Sequence, residues 1–326
     1  MKEGWERPEA PVSIDLRQLN EMIQPAFPGK RVTAAERIGT GFSNSNYKIY
    51  LEGIAVPFVF RLFSGDGEVA DKELAISRLV RKTVPVADFI YADSSCSAFG
   101  KPWAVLEWKE GVLLRDVFRT GTSEEMASAA ASVGSILAHI HAFMFPEAGF
   151  FGKDLTIRTP FRMNGDHFIS FIENSLFHNR CGRWLGEELT QAVWSFCRKY
   201  GPCLSESGET PVLAHSDFNG LNILMRRETT GYSVAAVLDW EFAFAWSRNV
   251  DIANMLRYEE DGSAFEHHFI WAYLDQGARL ESNWKLLAKL EDLIALCDML
   301  NHSSKDTPNR ICDLQRLIAG TVQTFR

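Results

Sequence analysis

The chain has 326 residues, 46% of them hydrophobic and 23% charged. That mix is too apolar for a disordered polymer and long enough for two domains or one enzyme with two lobes. Its 34 Lys and Arg against 42 Asp and Glu leave a net charge of -8, the wrong sign for a surface that grips nucleic-acid phosphates.

The six cysteines include no C-x-x-C pair, which favours reduced, buried thiols over disulfides or a zinc site. The charged start lacks the apolar core of a secretory signal, and no uncharged apolar run reaches about 18 residues. The chain therefore reads as cytoplasmic, with no membrane or nucleic-acid partner; its oligomeric state is left open. No fixed-period repeat is present, which excludes solenoids.

Apolar runs between turn residues predict strands at Arg37-Ile38, leading into Gly39-Thr40-Gly41, and at Tyr47 to Leu51, Pro57 to Phe63 and Trp103 to Trp108. Between them, residues 68–82 carry Ile76, Leu79 and Val80 at helical spacing and stop before Val84-Pro85. Thr122-x-x-Glu125 is a capping box, and Met126, Ala130, Val133, Leu137, Ile140 and Met144 follow on one face of a helix of about six turns. Strands return at residues 212–214, 223–225 and 234–238, with a turn over 228–231 between the last two. Helical periodicity covers 264–274, 283–301 and 311–321. The outline is α+β: a small strand-rich lobe over residues 1–108 and a larger, mainly helical lobe over 109–326.

The chemistry concentrates in Leu213-Ala-His215-Ser-Asp217-Phe-Asn-Gly-Leu-Asn222, followed by Val237-Leu238-Asp239-Trp240-Glu241. This is His-x-Asp-x-x-x-x-Asn, then a second Asp at the end of an apolar strand. A tight hairpin would bring Asp217, Asn222 and Asp239 to neighbouring strand ends. Phosphoryl transfer needs such a set: Asp217 can take the acceptor hydroxyl's proton, while Asn222 and Asp239, both hard oxygen donors, can hold Mg2+ against a triphosphate. No G-x-S-x-G and no H-E-x-x-H occurs, so serine-hydrolase and zincin chemistry have no anchor.

With His215-Ser216-Asp217 and Asp239-Trp240-Glu241 in place, the chain resembles the aminoglycoside phosphotransferase and choline kinase branch of the protein-kinase-like fold. The absence of Asp-Phe-Gly and Ala-Pro-Glu argues against a protein kinase. The resemblance runs over roughly residues 33 to 260. It implies a bilobal fold with a small antiparallel-sheet N-terminal lobe that binds nucleotide and a larger helical C-terminal lobe that carries the base and the acceptor. It also implies ATP or GTP as donor, Mg2+ as cofactor and a small-molecule acceptor.

Carried over position by position, the resemblance makes the segment around Gly39, Gly41, Ser43 and Asn44 the phosphate-covering loop. Arg61 becomes the phosphate-gripping cation where protein kinases use Lys, and Glu73 its helix partner. Glu107 and Trp108 fall at the hinge that meets the purine edge. His141 is then a structural hydrogen-bonding residue, and Asp251 braces the catalytic loop, a role compatible with an N-cap.

The acceptor is less defined. Residues 251–300 hold ten acidic and four basic residues, which suggests a cationic acceptor met by Glu259, Glu260, Asp261 and Glu266, although a charge run is more often a solvated helix face. Trp240, Trp246, Tyr258, Trp271 and Tyr273 could offer cation–π contacts or simply pack the core. An aminoglycoside-like acceptor ranks first, a choline, ethanolamine or sugar-type metabolite second. The rival of another class is a catalytically retired kinase fold that only binds, disfavoured by the retention of Asp217, Asn222 and Asp239.

Overall fold

The computed structural model describes residues 2–325 apart from 3, 8–11, 40–42, 163 and 206–209. The smaller lobe begins with helix α1 (Leu16–Met22) and an antiparallel sheet of β1 (Val32–Ile38), β2 (Ser45–Leu51), β3 (Phe58–Leu62), β4 (Phe89–Asp93) and β5 (Trp103–Glu107), in the order β1-β2-β3-β5-β4. In β2 every second residue is buried, so Tyr47, Ile49 and Leu51 meet Phe60, Leu62, Trp103 and Val105 in one core. Strand β4 was not expected: it lies at the sheet edge and is only half-buried, so no clean alternation marks it.

Helix α2 (Gly67–Val80) is capped by Asp66, whose carboxylate accepts from the amides of Glu68 and Val69. It ends at Val80, short of the expected 82, because Arg81 to Val84 turn back onto Val80 and Ser77 carbonyls ahead of Pro85. Its inner face carries Ala70, Glu73, Ile76 and Val80.

The larger lobe contains β6 (Val112–Leu113), α3 (Leu114–Thr120), α4 (Ser123–His141), β7 (Gly149–Phe151), β8 (Ile157–Pro160), α5 (Gly165–Glu173), α6 (Cys181–Leu185), α7 (Glu187–Tyr200), β9 (Val212–Ala214), β10 (Ile223–Glu228), β11 (Gly231–Val237), β12 (Phe244–Trp246), α8 (Asn249–Leu256), α9 (Ala264–Asp275), α10 (Trp284–Asn301) and α11 (Pro308–Thr324). Two small sheets, ordered β11-β10-β6 and β8-β7-β12-β9, carry the segments that hold Asp217, Asn222 and Asp239.

The capping box of α4 forms as expected, with Thr122 and Glu125 exchanging side-chain-to-amide hydrogen bonds. Its buried face includes Ala130, Val133, Leu137 and Ile140. The helix stops at His141, so Met144 is not part of it. Phe145 donates to the Pro211 carbonyl and Leu213 to that of Phe143, which draws the segment alongside β9 and leaves Met144 exposed. Gly134 lets α4 cross α9 closely: a Cβ there would lie 2.1 Å from the Phe269 carbonyl oxygen.

Cys181, Cys197 and Cys297 are buried and all six cysteines are free, whereas Cys312 is exposed and Cys96 and Cys203 are half-buried. Among the described residues no helix is long and apolar enough to cross a membrane.

Candidate active site

The β10–β11 hairpin pairs Ile223 with Val237, and the Leu238 amide donates to the Asn222 carbonyl at 2.8 Å. Asn222 and Asp239 therefore leave the same end of one hairpin. His215, fully buried after β9, joins the two halves: its Nε2 donates to the Leu238 carbonyl at 2.9 Å, and its Nδ1 accepts from the Asp217 amide at 3.3 Å. These partners assign the ring proton to Nε2.

Asp251 supplies the brace under this loop. Its two carboxylate oxygens accept from the consecutive amides of His215 (2.8 Å) and Ser216 (2.7 Å), and His141 Nε2 approaches one of them at 3.1 Å. Asn254 donates to the Ser216 carbonyl at 3.0 Å. Ser216 needs that support, because its φ of 67° is a left-handed conformation that costs a non-glycine residue about 1–2 kcal/mol. Asp251 lies in the first turn of α8 and does not cap it; the cap position is Arg248, so the N-cap expectation is corrected. His141 is structural, held between Asp251 and the Tyr273 hydroxyl.

The Asp217 carboxylate is fixed at both oxygens. Asn222 Nδ2 donates to Oδ2 at 2.7 Å, Asn219 Nδ2 to Oδ1 at 2.8 Å, and the Lys2 ammonium stands 2.7 Å from Oδ1. Burial acts to raise its pKa, but the Lys2 charge, aided by His215 and Arg257, holds it below the ordinary carboxylate value.

A second group of charges faces it from both lobes. Arg61 Nη1 lies 2.7 Å from Glu73 Oε2 and 3.6 Å from Asp239 Oδ1, and its Nε donates to Asn46 at 3.0 Å. The carboxylates of Glu73, Asp239 and Glu241 fall within 4.8 Å of one another. Burial opposes the Arg61 charge, yet Glu73, Asp239 and Glu241 outweigh it and raise the guanidinium pKa. Burial, then the neighbouring carboxylates, push Glu73 up to about 8 despite Arg61. Burial and Asp239 push Glu241 up to about 7. Asp239 has φ 64°, a region Asp tolerates better than most residues.

Three crowded hard-oxygen ligands, one with a buried oxygen (Glu73 Oε1) lacking a hydrogen-bond partner, suit a divalent cation.

Of the loop residues, Gly39 takes φ 74°, and Gly41 lies outside the described residues. Asn44 does not stand free to meet phosphate. It is buried, accepts from the Ser64 amide at 3.0 Å and donates to Asp239 Oδ1 and Glu241 Oε2, both at 3.3 Å. Together with the Ser43 side chain, which hydrogen-bonds Glu241, it fastens the small-lobe loop to the second acidic motif. Lys72 reinforces the junction by donating to the Glu241 carbonyl at 2.6 Å.

Glu107 and Trp108 form a separate group at the end of β5. Glu107 pairs with Lys109 at 2.8 Å, and the Trp108 ring carries the Lys48 ammonium 4.0 Å from its centroid while Nε1 donates to Glu110.

The acidic candidates of residues 259–266 are largely neutralised locally. Lys285 pairs with both Asp261 and Glu266, and Glu259 accepts from Ser263. Trp240 and Tyr273 are core residues, Trp246 donates to Glu291, and Trp271 is exposed on α9. Tyr258 is tied to Asp217 through Lys2, whose amide donates to its hydroxyl at 3.1 Å.

Sequence reasoning missed Glu241, Asn219 and Lys2. The first two stand two residues from a recognised Asp, which is a usable signal; Lys2 has none.

The lobes, the braced loop and the facing acidic group define a protein-kinase-like phosphotransferase. A family model described as the phosphotransferase enzyme family matches residues 34–287, and the chain belongs to that family. Among solved structures it is similar to aminoglycoside 2'-phosphotransferase-IIIa in its GDP complex, with 17% identity, TM-score 0.72, and coverage of 96% of this chain and 100% of that one. It is likewise similar to APH(2")-IIia with GDP and kanamycin, with 17% identity, TM-score 0.71, and coverage of 95% and 99%. A third is a thermostable mutant of APH(4)-Ia in ternary complex with AMP-PNP and hygromycin B, with 15% identity, TM-score 0.68, and coverage of 94% and 99%. No curated protein matches.

Proposed function

We propose that the chain transfers the γ-phosphoryl group of ATP or GTP to a hydroxyl of a small, polar, cationic acceptor of aminoglycoside-like chemistry. Residues 1–108 serve the nucleotide and residues 109–326 the acceptor. The observation that carries this reading is the Asp217 carboxylate, oriented by Asn219 and Asn222 beside the Arg61–Glu73–Asp239–Glu241 group.

Asp217 receives the proton of the attacking hydroxyl, its carboxylate oriented by Asn219 and Asn222. Arg61, cationic and fixed in orientation by Glu73 and Asn46, reaches the phosphates of the donor. Asp239 and Asn222 hold Mg2+, with Glu241 as a further donor within reach of Asp239. When bound, the ion offsets charge on the transferring phosphoryl group. The loop of Gly39, Gly41 and Ser43 covers the phosphates, with Asn44 fastening it to Asp239 and Glu241, and Glu107 and Trp108 border the purine. The bound GDP, AMP-PNP, kanamycin and hygromycin B named for the structural neighbours support nucleotide and aminated acceptor as partners.

The test is nucleotide consumption against a panel of aminoglycosides, amino alcohols and sugars, with Asp217→Asn as control. Turnover with an aminated acceptor is expected, abolished in the variant while nucleotide affinity stays within a few-fold. Unchanged turnover in Asp217→Asn would remove the base. A protein that shows no Mg-dependent thermal stabilisation by nucleotide would be the binding module instead.

A further inference from the structure

The segment formed by residues 2 and 4–7 has no regular secondary structure, yet it is moored to both lobes. On the larger lobe, Trp5 Nε1 donates to Asp313 at 3.1 Å, and Tyr258 donates to the same oxygen at 2.6 Å. Glu6 accepts from the amides of Asn309 (2.9 Å) and Arg310 (3.3 Å) in the first turn of α11, and Asn309 donates to the Gly4 carbonyl at 2.9 Å. On the smaller lobe, Arg7 donates to the Ser43 carbonyl at 2.8 Å and approaches that of Asn44 at 3.4 Å. Between these moorings the Lys2 ammonium sits on Asp217.

We propose that this segment is an autoinhibitory strap, with Lys2 a tethered occupant of the position from which the acceptor must approach Asp217. The inference rests on the reading of Asp217 as the base. Three donors already crowd its two oxygens, and an ammonium has no lone pair with which to attack phosphorus. While Lys2 is there, an acceptor hydroxyl has to displace it.

The attachment is built to be displaced. Among the described residues of the segment, Trp5 is the side chain that packs against a core cluster, and it does so half-buried. Lys2 itself takes a left-handed φ of 40°. The segment's links to Asp217 and to the Ser43 loop are polar contacts of the kind that charged ligands compete for: an aminated acceptor for Asp217, donor phosphates for Lys2 and Arg7. The acceptor thus releases its own lock.

Steady-state nucleotide turnover, both basal and with an aminated acceptor, is compared among the full chain, Lys2→Met and Trp5→Ala. Acylation of Lys2 by an amine-reactive reagent is followed alongside by mass spectrometry, with the exposed Lys153 as internal reference. If the strap is closed in about nine molecules of ten, either substitution raises turnover about tenfold. In the full chain Lys2 is acylated more slowly than Lys153, and Trp5→Ala removes the difference. Turnover that is unchanged or lower in Lys2→Met overturns the proposal; loss in Lys2→Met with rescue by Lys2→Arg makes Lys2 a positioning residue instead. Absence of turnover in all proteins rejects the kinase reading. The strap is then judged on acylation, and Lys2 reacting as fast as Lys153 in the full chain overturns it.

Discussion

Replacing Asp251 tests whether the loop that carries His215 and Asp217 is held by one carboxylate. Asp251 is fully buried and satisfies the His215 and Ser216 amides while contacting His141 Nε2. Asp251→Ala leaves both amides without their protein acceptor. At about 1–3 kcal/mol for each unsatisfied buried donor, the loss is about 2–6 kcal/mol, a large share of the 5–15 kcal/mol typical of a folded domain. Asp251→Asn keeps one carbonyl oxygen but turns an NH2 toward the second amide, so about half that loss is expected.

Urea titration followed by tryptophan fluorescence reads the change as a shift of midpoint at constant slope. Activity falls further than stability, since Ser216 relaxes from its left-handed conformation and carries Asp217 with it. An Asp251→Ala protein within about 1 kcal/mol of the parent, with its turnover intact, would refute the brace.

The acidic group makes metal-free stability fall as pH rises. Glu241, pushed up to about 7 from 4.5, contributes stability that is complete below its unfolded value and is lost as pH climbs through the folded one. The melting temperature in chelator should therefore drop from about pH 5 to about pH 8, and Glu241→Gln should flatten it by a share worth about 3 kcal/mol; equal slopes in the two proteins would sink the assignment. Gly134→Ala drives a Cβ against the Phe269 backbone, where no side chain can yield, and a loss of about 1–3 kcal/mol is expected from the urea midpoint. A variant as stable as the parent would mean that α4 and α9 part without cost.

The parts legible in the sequence are those governed by neighbours a few residues away. The capping box of Thr122 and Glu125, the alternation in β2 and the turn that closes β10 on β11 are local patterns, and each forms in the folded chain. The spacing of His215, Asp217 and Asn222 is local too, and the expected hairpin sets Asn222 and Asp239 at one end of β10 and β11; the Asn222–Asp217 hydrogen bond is a finding of the structure. Local pattern also misled: the apolar staircase runs on to Met144, but a backbone bond to the Pro211 carbonyl takes that segment away from α4.

Tertiary structure alone decided which charges meet. Asn44 clasps Asp239 across 195 residues, Asp251 holds the His215 amide across 36, and Lys2 reaches Asp217 across 215. No periodicity links such positions. A side chain's intrinsic preference is set by its own backbone and its nearest turn, whereas the partner that neutralises a buried charge is supplied by whichever element the packing of the two lobes brings there.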